Sequence, residues 1–203
     1  MVDPSPIALS TPEISSDLRE FAFLKAADAN WLSLYSELSR FMLPRRSAFV
    51  GAFAPGQARG VLYDSSAQWA AQQLASALAS LVTPASAPWF EITADTDYAG
   101  RAWLDEVTGV LTDVLADPRG NFYSSINEVY IDLSVFGMSV ITREKGRPYR
   151  ALFLGDCFFA EDANGEINTL YRTFKMTRVN IEEKFKTTLA SKRGKYDELE
   201  VLQ

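Results

Sequence analysis

The change of hydrophobic period at Gly137 constrains this chain more than any other feature. In NFYSSINEVYIDLSVFG, Phe122, Ile126, Val129, Leu133 and Phe136 recur at steps of four, three, four and three, which places them on one face of an α-helix. Gly137 follows at once, and a glycine in the left-handed conformation closes a helix without a Cβ clash, so the helix is predicted to stop there. Beyond it the segments 138–142, 149–154, 157–160 and 167–176 are short, rich in β-branched and aromatic residues and separated by turn chemistry. A long helix that delivers the chain into a small antiparallel sheet makes the predicted fold class α+β, with several amphipathic helices packed with that sheet.

The other helices come from the same spacing rule. Residues 1–16, with Pro4, Pro6 and Pro12 among Ser and Thr, read as an extended N-terminal arm, and residues 17–137 as a helical region. Its first helix, from Asp17, carries Leu24, Ala27, Trp31, Leu34, Leu38 and Phe41 on one stripe and ends before Pro44. The adjoining Arg45 and Arg46 fit a solvated helix end, where the dipole favours a cation, better than a phosphate site. In the second helix Ser65 and Gln68 form a capping box, and Ala67, Ala71, Leu74, Leu78 and Leu81 share a face opposite Gln72, Ser76 and Ser80. Its many Ala and Ser residues would let another backbone approach closely, and it stops at Thr83-Pro84. Trp89 and Phe90 follow in an extended piece expected to bury against it. A third helix, residues 101–116, spaces Trp103, Leu104, Val107, Val110, Leu111, Val114 and Leu115 helically, and the turn from Asp117 to Gly120 returns the chain toward the helix that ends at Gly137.

The hairpin region is expected over 138–176, with residues 177–203 forming a helix and the start of a further strand. Thr177 is placed to cap a helix in which Ile181, Phe185 and Leu189 share a face while Glu182, Glu183, Lys184 and Lys186 are solvated. SKRGKYDE breaks that helix, and ELEVLQ begins a strand whose Leu199, Val201 and Leu202 are expected to lack sheet partners. An apolar alternating run with no turn or cap implies a longer polypeptide.

Composition excludes whole classes of chemistry. The chain has 203 residues, 47% of them hydrophobic, enough for a real core, and no histidine, so Ser-His and Cys-His dyads, imidazole acid-base catalysis and His-ligated metals are excluded within it. A formal charge of −6 disfavours gripping nucleic acid through its phosphates. The lone Cys157, followed by Phe158, Phe159 and Ala160, reads as a small core residue. Gly51 and Gly56 have the spacing of a phosphate loop, but Gln57 and Ala58 stand where its lysine and hydroxyl belong. EDANGE resembles a calcium loop until its register puts Ala160 and Tyr171 at ligand positions. Asn164-Gly165 between apolar strands signals a type I′ hairpin instead. No carboxylate cluster has the ligand spacing of a magnesium enzyme. The reading is therefore of a non-enzyme with no catalytic, cofactor-binding or metal-ligating residue and no cofactor. With no apolar run of about 18 residues and no signal peptide at its start, it is expected to be soluble and intracellular, without membrane contact.

Three segments in order carry a resemblance. YDSSAQWAAQQLASALASLVTPASAPWFEI, NFYSSINEVYIDLSVFGMSVITRE and CFFAEDANGEINTLYRTFKMT are similar to the N-terminal portion of the portal, or head-to-tail connector, proteins of short-tailed tailed bacteriophages, over roughly residues 31–185. The resemblance implies a wing-like region of a structural protein that forms a homo-oligomeric, dodecameric ring at one capsid vertex. Double-stranded DNA passes through that ring without sequence specificity during packaging and ejection. The implied partners are the terminase motor, capsid and scaffold proteins, and tail adaptor proteins, in the virion and in the host cytoplasm during assembly. Family members are considerably longer, so the channel-lining and motor-docking residues are not assignable here, and the contacts to DNA or partners stay unknown. A small non-enzymatic interaction or scaffold module, built on the Pro-rich arm and the Ala-rich helix, is the alternative.

Overall fold

The computed structural model describes residues 11–44, 49, 64–186 and 198–203. In chain order it has helices α1 (Thr11–Ala27), α2 (Ala29–Met42), α3 (Ser66–Val82), α4 (Tyr98–Ala116) and α5 (Phe122–Phe136). Strands β1 (Val140–Thr142), β2 (Arg150–Leu152), β3 (Cys157–Glu161) and β4 (Ile167–Thr177) follow, then α6 (Arg178–Phe185) and β5 (Glu198–Leu202). The fold is α+β, as predicted. The strands form two antiparallel sheets where one was expected, β1-β2 and β3-β4-β5. The chain divides into two compact units, one of residues 33–154 and one of 1–32 with 155–203.

In the unit of residues 33–154, α5 is the element against which the others are placed. It closes at Gly137, whose N–H donates to the Leu133 carbonyl at 3.0 Å and whose φ of 77° turns the chain out of the helix, the predicted left-handed cap. Of the predicted apolar face, Phe136 is buried, Phe122, Ile126 and Val129 are half-buried and Leu133 is exposed. Ser125, Tyr130, Asp132 and Val135 are buried as well, so α5 is covered on more than one side. Helix α3 packs on it through Ala71 and Ala75, which lack the bulk to hold two backbones apart. A buried hydroxyl pair, Thr83 Oγ1 and Tyr130 Oη at 3.0 Å, pins the end of α3 to the middle of α5. At the start of α5, Ser125 Oγ donates to the Tyr149 carbonyl at 2.8 Å, and the Tyr149 N–H donates to the Gly120 carbonyl at 2.8 Å. These bonds bring the chain to β2, where Leu152 pairs with Val140 and is buried.

Two aromatic clusters fasten this unit. Tyr35 of α2, Phe49, Phe136 and Phe153 form a run of ring contacts with centroid separations of 4.7 to 5.7 Å. Trp89 was expected against α3; its ring instead lies parallel to that of Phe122 on α5 at 6.1 Å, and Phe122 meets Tyr149 edge-on. The stretch behind Trp89 is tied to α4 by the Ile92 N–H, which donates to Thr108 Oγ1.

In the other unit, β4 is central. It pairs with β3 in a register that sets Phe158 opposite Tyr171 and Cys157 opposite Arg172. Phe21 of α1 packs edge-on against Phe158 at 5.3 Å, and Tyr171 Oη donates to Glu20 Oε2 at 3.0 Å. The expectation that Leu199, Val201 and Leu202 lack partners is corrected: β5 pairs along β4, Phe174 opposite Val201 and Met176 opposite Leu199. Ile181 of α6 is buried, while Phe185 of the same predicted face is 43% exposed; Leu189 lies outside the described residues.

Several local expectations shift in detail. The helix predicted from Asp17 begins at Thr11, inside the stretch read as an extended arm, and its hydrogen-bond ladder continues past Asp28, which accepts from Leu32 and donates to Leu24. Of its predicted stripe, Leu24 and Leu38 are half-buried, while Ala27, Trp31, Leu34 and Phe41 face solvent; Phe21 and Tyr35 make the ring contacts and Ser39 is buried. At α3 the Ser65 side chain makes no capping bond; Asp64 Oδ1 accepts from the Ser66 N–H and hydroxyl, one position earlier. Thr177 has N-cap backbone geometry with no side-chain bond.

Candidate assembly surfaces

The residues weighed for chemistry resolve into structural roles. In the 162–166 loop the Asp162 carbonyl accepts from the Gly165 N–H at 3.1 Å and the Asp162 N–H donates to the Glu166 carbonyl at 2.9 Å. This is a three-residue hairpin loop with a left-handed Gly165, φ 81°; Asn164 stays at negative φ, which corrects the type I′ turn. Asp162 Oδ1 accepts from the backbone N–H groups of Asn164 and Glu166, at 2.8 and 3.0 Å, and these bonds hold its carboxyl below the usual carboxylate range. A carboxylate oxygen spent on its own loop is not aimed at a cation. Among the described residues no group of three His, Cys, Asp or Glu side chains could hold a metal ion. The Gly51–Gly56 loop and the Arg45-Arg46 pair lie outside the described residues.

Cys157 is buried, and burial pushes its thiol up to about 11, with Arg172 pulling the value back and Asp156 adding to the rise. A thiol so poorly ionised is a core residue. Asp156 beside it is raised by its own burial.

What the molecule does offer is apolar surface on regular elements. On α3, Trp69 is 63% and Leu81 81% exposed, and Leu74 is exposed beside them. Leu74 and Leu81 were expected to be covered with Ala71. On α4 no residue is fully buried; Leu104, Val107 and Leu115 turn inward, while Trp103, Val110 and Val114 are 60%, 56% and 48% exposed. Between α3 and α5 runs a groove of about 640 Å³ whose floor includes Ala75, Ala79 and Ile131 and whose rim includes Ser76, Ser80 and Asn127. Among the described residues no helix is long and apolar enough to cross a membrane. Large exposed apolar side chains on well-formed helices are candidates for contact with a further surface.

A family model described as bacteriophage head to tail connecting protein matches residues 18–198, most of the chain. The chain belongs to this family. Two curated relatives agree with the head-to-tail connector assignment. It is 28% identical over 182 residues to the "Probable portal protein" of Bordetella phage BPP-1, and 27% identical over 179 residues to the "Portal protein" of Salmonella phage epsilon15. Each match covers 83% of this chain and 32% of the relative, so the chain spans about a third of the length of the curated relatives it matches. The resemblance seen in the sequence is therefore shown at the level of the connector family. What the residues alone did not reveal was which apolar positions would stay outside: Trp103 and Val110 have the same helical spacing as residues that do face inward.

Proposed function

We propose that this chain is the N-terminal, wing-like portion of a structural portal protein. In this reading it helps build a ring-shaped channel at one capsid vertex, through which double-stranded DNA is packaged and ejected and to which the tail attaches. The match to the connector family across residues 18–198 carries the reading. The exposed apolar side chains of α3 and α4 support it, because a subunit of an assembly carries apolar surface that leaves water on contact with a neighbour. The net charge of −6 fits a passive conduit, because DNA slides where phosphates are not gripped, and with no histidine the chain brings no imidazole base. Its partners in this reading are further copies of itself, twelve to a ring, together with the terminase motor, capsid and scaffold proteins and tail adaptors. Its place is the portal vertex of the virion, reached by assembly in the host cytoplasm. No step of catalysis is assigned to it.

Electron microscopy of the full-length protein carrying this region tests the reading. Closed rings of uniform size are expected; monomers only, or open filaments, would overturn it.

A further inference from the structure

We infer that the outer face of α4 is one half of a head-to-tail contact between two copies of this chain, and that its counterpart is the cationic aromatic face around Phe174 and Phe185. Trp103, Glu106, Val110, Asp113 and Val114 fall at steps of three, four, three and one along α4, which gathers them on one face. All five side chains are exposed. The result is an indole and two valines edged by carboxylates, in a stretch, residues 91–117, where Arg101 is the lone cation. Gly109 sits on the same side, and a methyl group there would meet nothing within 4 Å. Such a face is suited to an apolar surface that carries positive charge, since both the indole ring and the carboxylates attract a cation.

The second unit presents that surface. The Arg172 guanidinium lies 4.6 Å and the Lys184 ammonium 5.5 Å from the centroid of the Phe174 ring, and Lys184 is also 5.7 Å from the ring of Phe185. Phe185 is 43% exposed, and Lys186 beside it is exposed. Arg172 also faces Asp156, and the exposed Glu183 adjoins Lys184, so the cations at the edge of this face are Lys184 and Lys186; the outer face of α4 carries none of that sign, and neither face is complementary to itself. The contact is therefore heterologous, the type that builds a ring where its rotation closes. The inference rests on the connector reading only in choosing a second copy as the occupant.

Sedimentation velocity of the 203-residue chain at tens of micromolar tests it. Self-association is expected at low salt and should weaken about tenfold when sodium chloride rises from about 50 mM to about 500 mM, because the charges at the rim are screened. Glu106→Lys with Asp113→Lys, and separately Lys184→Glu with Lys186→Glu, should each leave the chain monomeric with an unchanged circular dichroism spectrum. An equal mixture of the two charge-reversed chains should associate again, since each then offers the face that the other now fits. A wild-type chain monomeric at every salt concentration, either reversed chain associating as the wild type does, or a mixture that stays monomeric would overturn the inference. Rings of full-length protein that survive both reversals would also overturn it, while leaving the connector reading intact. Absence of rings in the unmutated full-length protein, together with association of the 203-residue chain that both reversals abolish, would instead count against the ring and leave the inference standing.

Discussion

Helices α4 and α5 have comparably regular apolar spacing, yet α5 buries five residues, two of them polar, and α4 fully buries none. The difference lies in their surroundings. Helix α5 is covered by α3 along Ala71 and Ala75, by β1 and β2 beyond Gly137, and by Tyr35 and Phe49 at Phe136, so that even Ser125 and Asp132 are enclosed. Helix α4 touches α5 along one side and keeps Trp103, Val110 and Val114 outside. Periodicity reports that a helix will find cover; it does not report whether the cover comes from the same chain. In the reading proposed above, the second kind of cover is as much a part of the design as the first.

The comparison is broken most forcefully at Phe136. Its ring meets Tyr35 and Phe49 edge-on and is buried, so Phe136→Ala should cost about 3–5 kcal/mol in urea unfolding, through lost transfer free energy and the cavity left behind. A loss below about 1 kcal/mol would mean that the aromatic cluster is not a core. A smaller effect is expected at Tyr130→Phe, which removes one partner of the buried Thr83 hydroxyl and should destabilise by about 1–2 kcal/mol. Double-mutant analysis with Thr83→Val would sharpen this, because removing both hydroxyls should cost less than the two single changes added together.

How far these features were legible in the sequence follows from the same residues. The spacing of Phe122 to Phe136 and the glycine after it were enough to place α5 and its left-handed cap, because both depend on local geometry alone. The phase of α1 and α2 was not legible. Apolar residues occur on more than one side of these helices, and Phe21 and Tyr35 are inward because Phe158 and Phe136 happen to be there, more than a hundred residues away. The hairpin at Gly165 was legible from Asn-Gly between apolar strands; its turn type was not, because the Asp162 side chain holds the loop at three residues. The partnership of β5 with β4 was hidden for a similar reason, since strand pairing is a long-range choice that alternation in one strand does not reveal. Asp132, 1% exposed, looks in the sequence like any solvated carboxylate on a helix. Of the assembly surfaces, the residues were visible and their exposure was not.

Two glycines separate the helices by a smaller margin and with opposite sign. Gly137 has φ 77°, so Gly137→Ala should destabilise by about 1 kcal/mol through the left-handed backbone alone, there being no atom within 4 Å for the new methyl group to strike. Gly109 is inside α4 with helical backbone and open space around it, so Gly109→Ala should stabilise the monomer by about 0.5–1 kcal/mol. Thermal melting monitored at 222 nm distinguishes the two. If both changes destabilise, α4 is not the freely exposed helix described.

The smallest effect is the one that most directly tests why α4 looks as it does. Val110→Ser and Val114→Ser remove apolar groups that already face water in the monomer, so neither change exposes new surface or opens a cavity. Each should move monomer stability by no more than about 0.5 kcal/mol, the range of surface substitutions remote from caps and cores. The same two changes made in the full-length protein should reduce ring yield, because there the valines are expected to leave water on contact with a neighbour. Stability is thus predicted to be nearly blind to these positions while assembly is sensitive to them. If Val110→Ser instead lowers the melting temperature of the monomer by as much as Tyr130→Phe does, the outer face of α4 is covered within its own chain in solution, and the contrast between the two helices disappears.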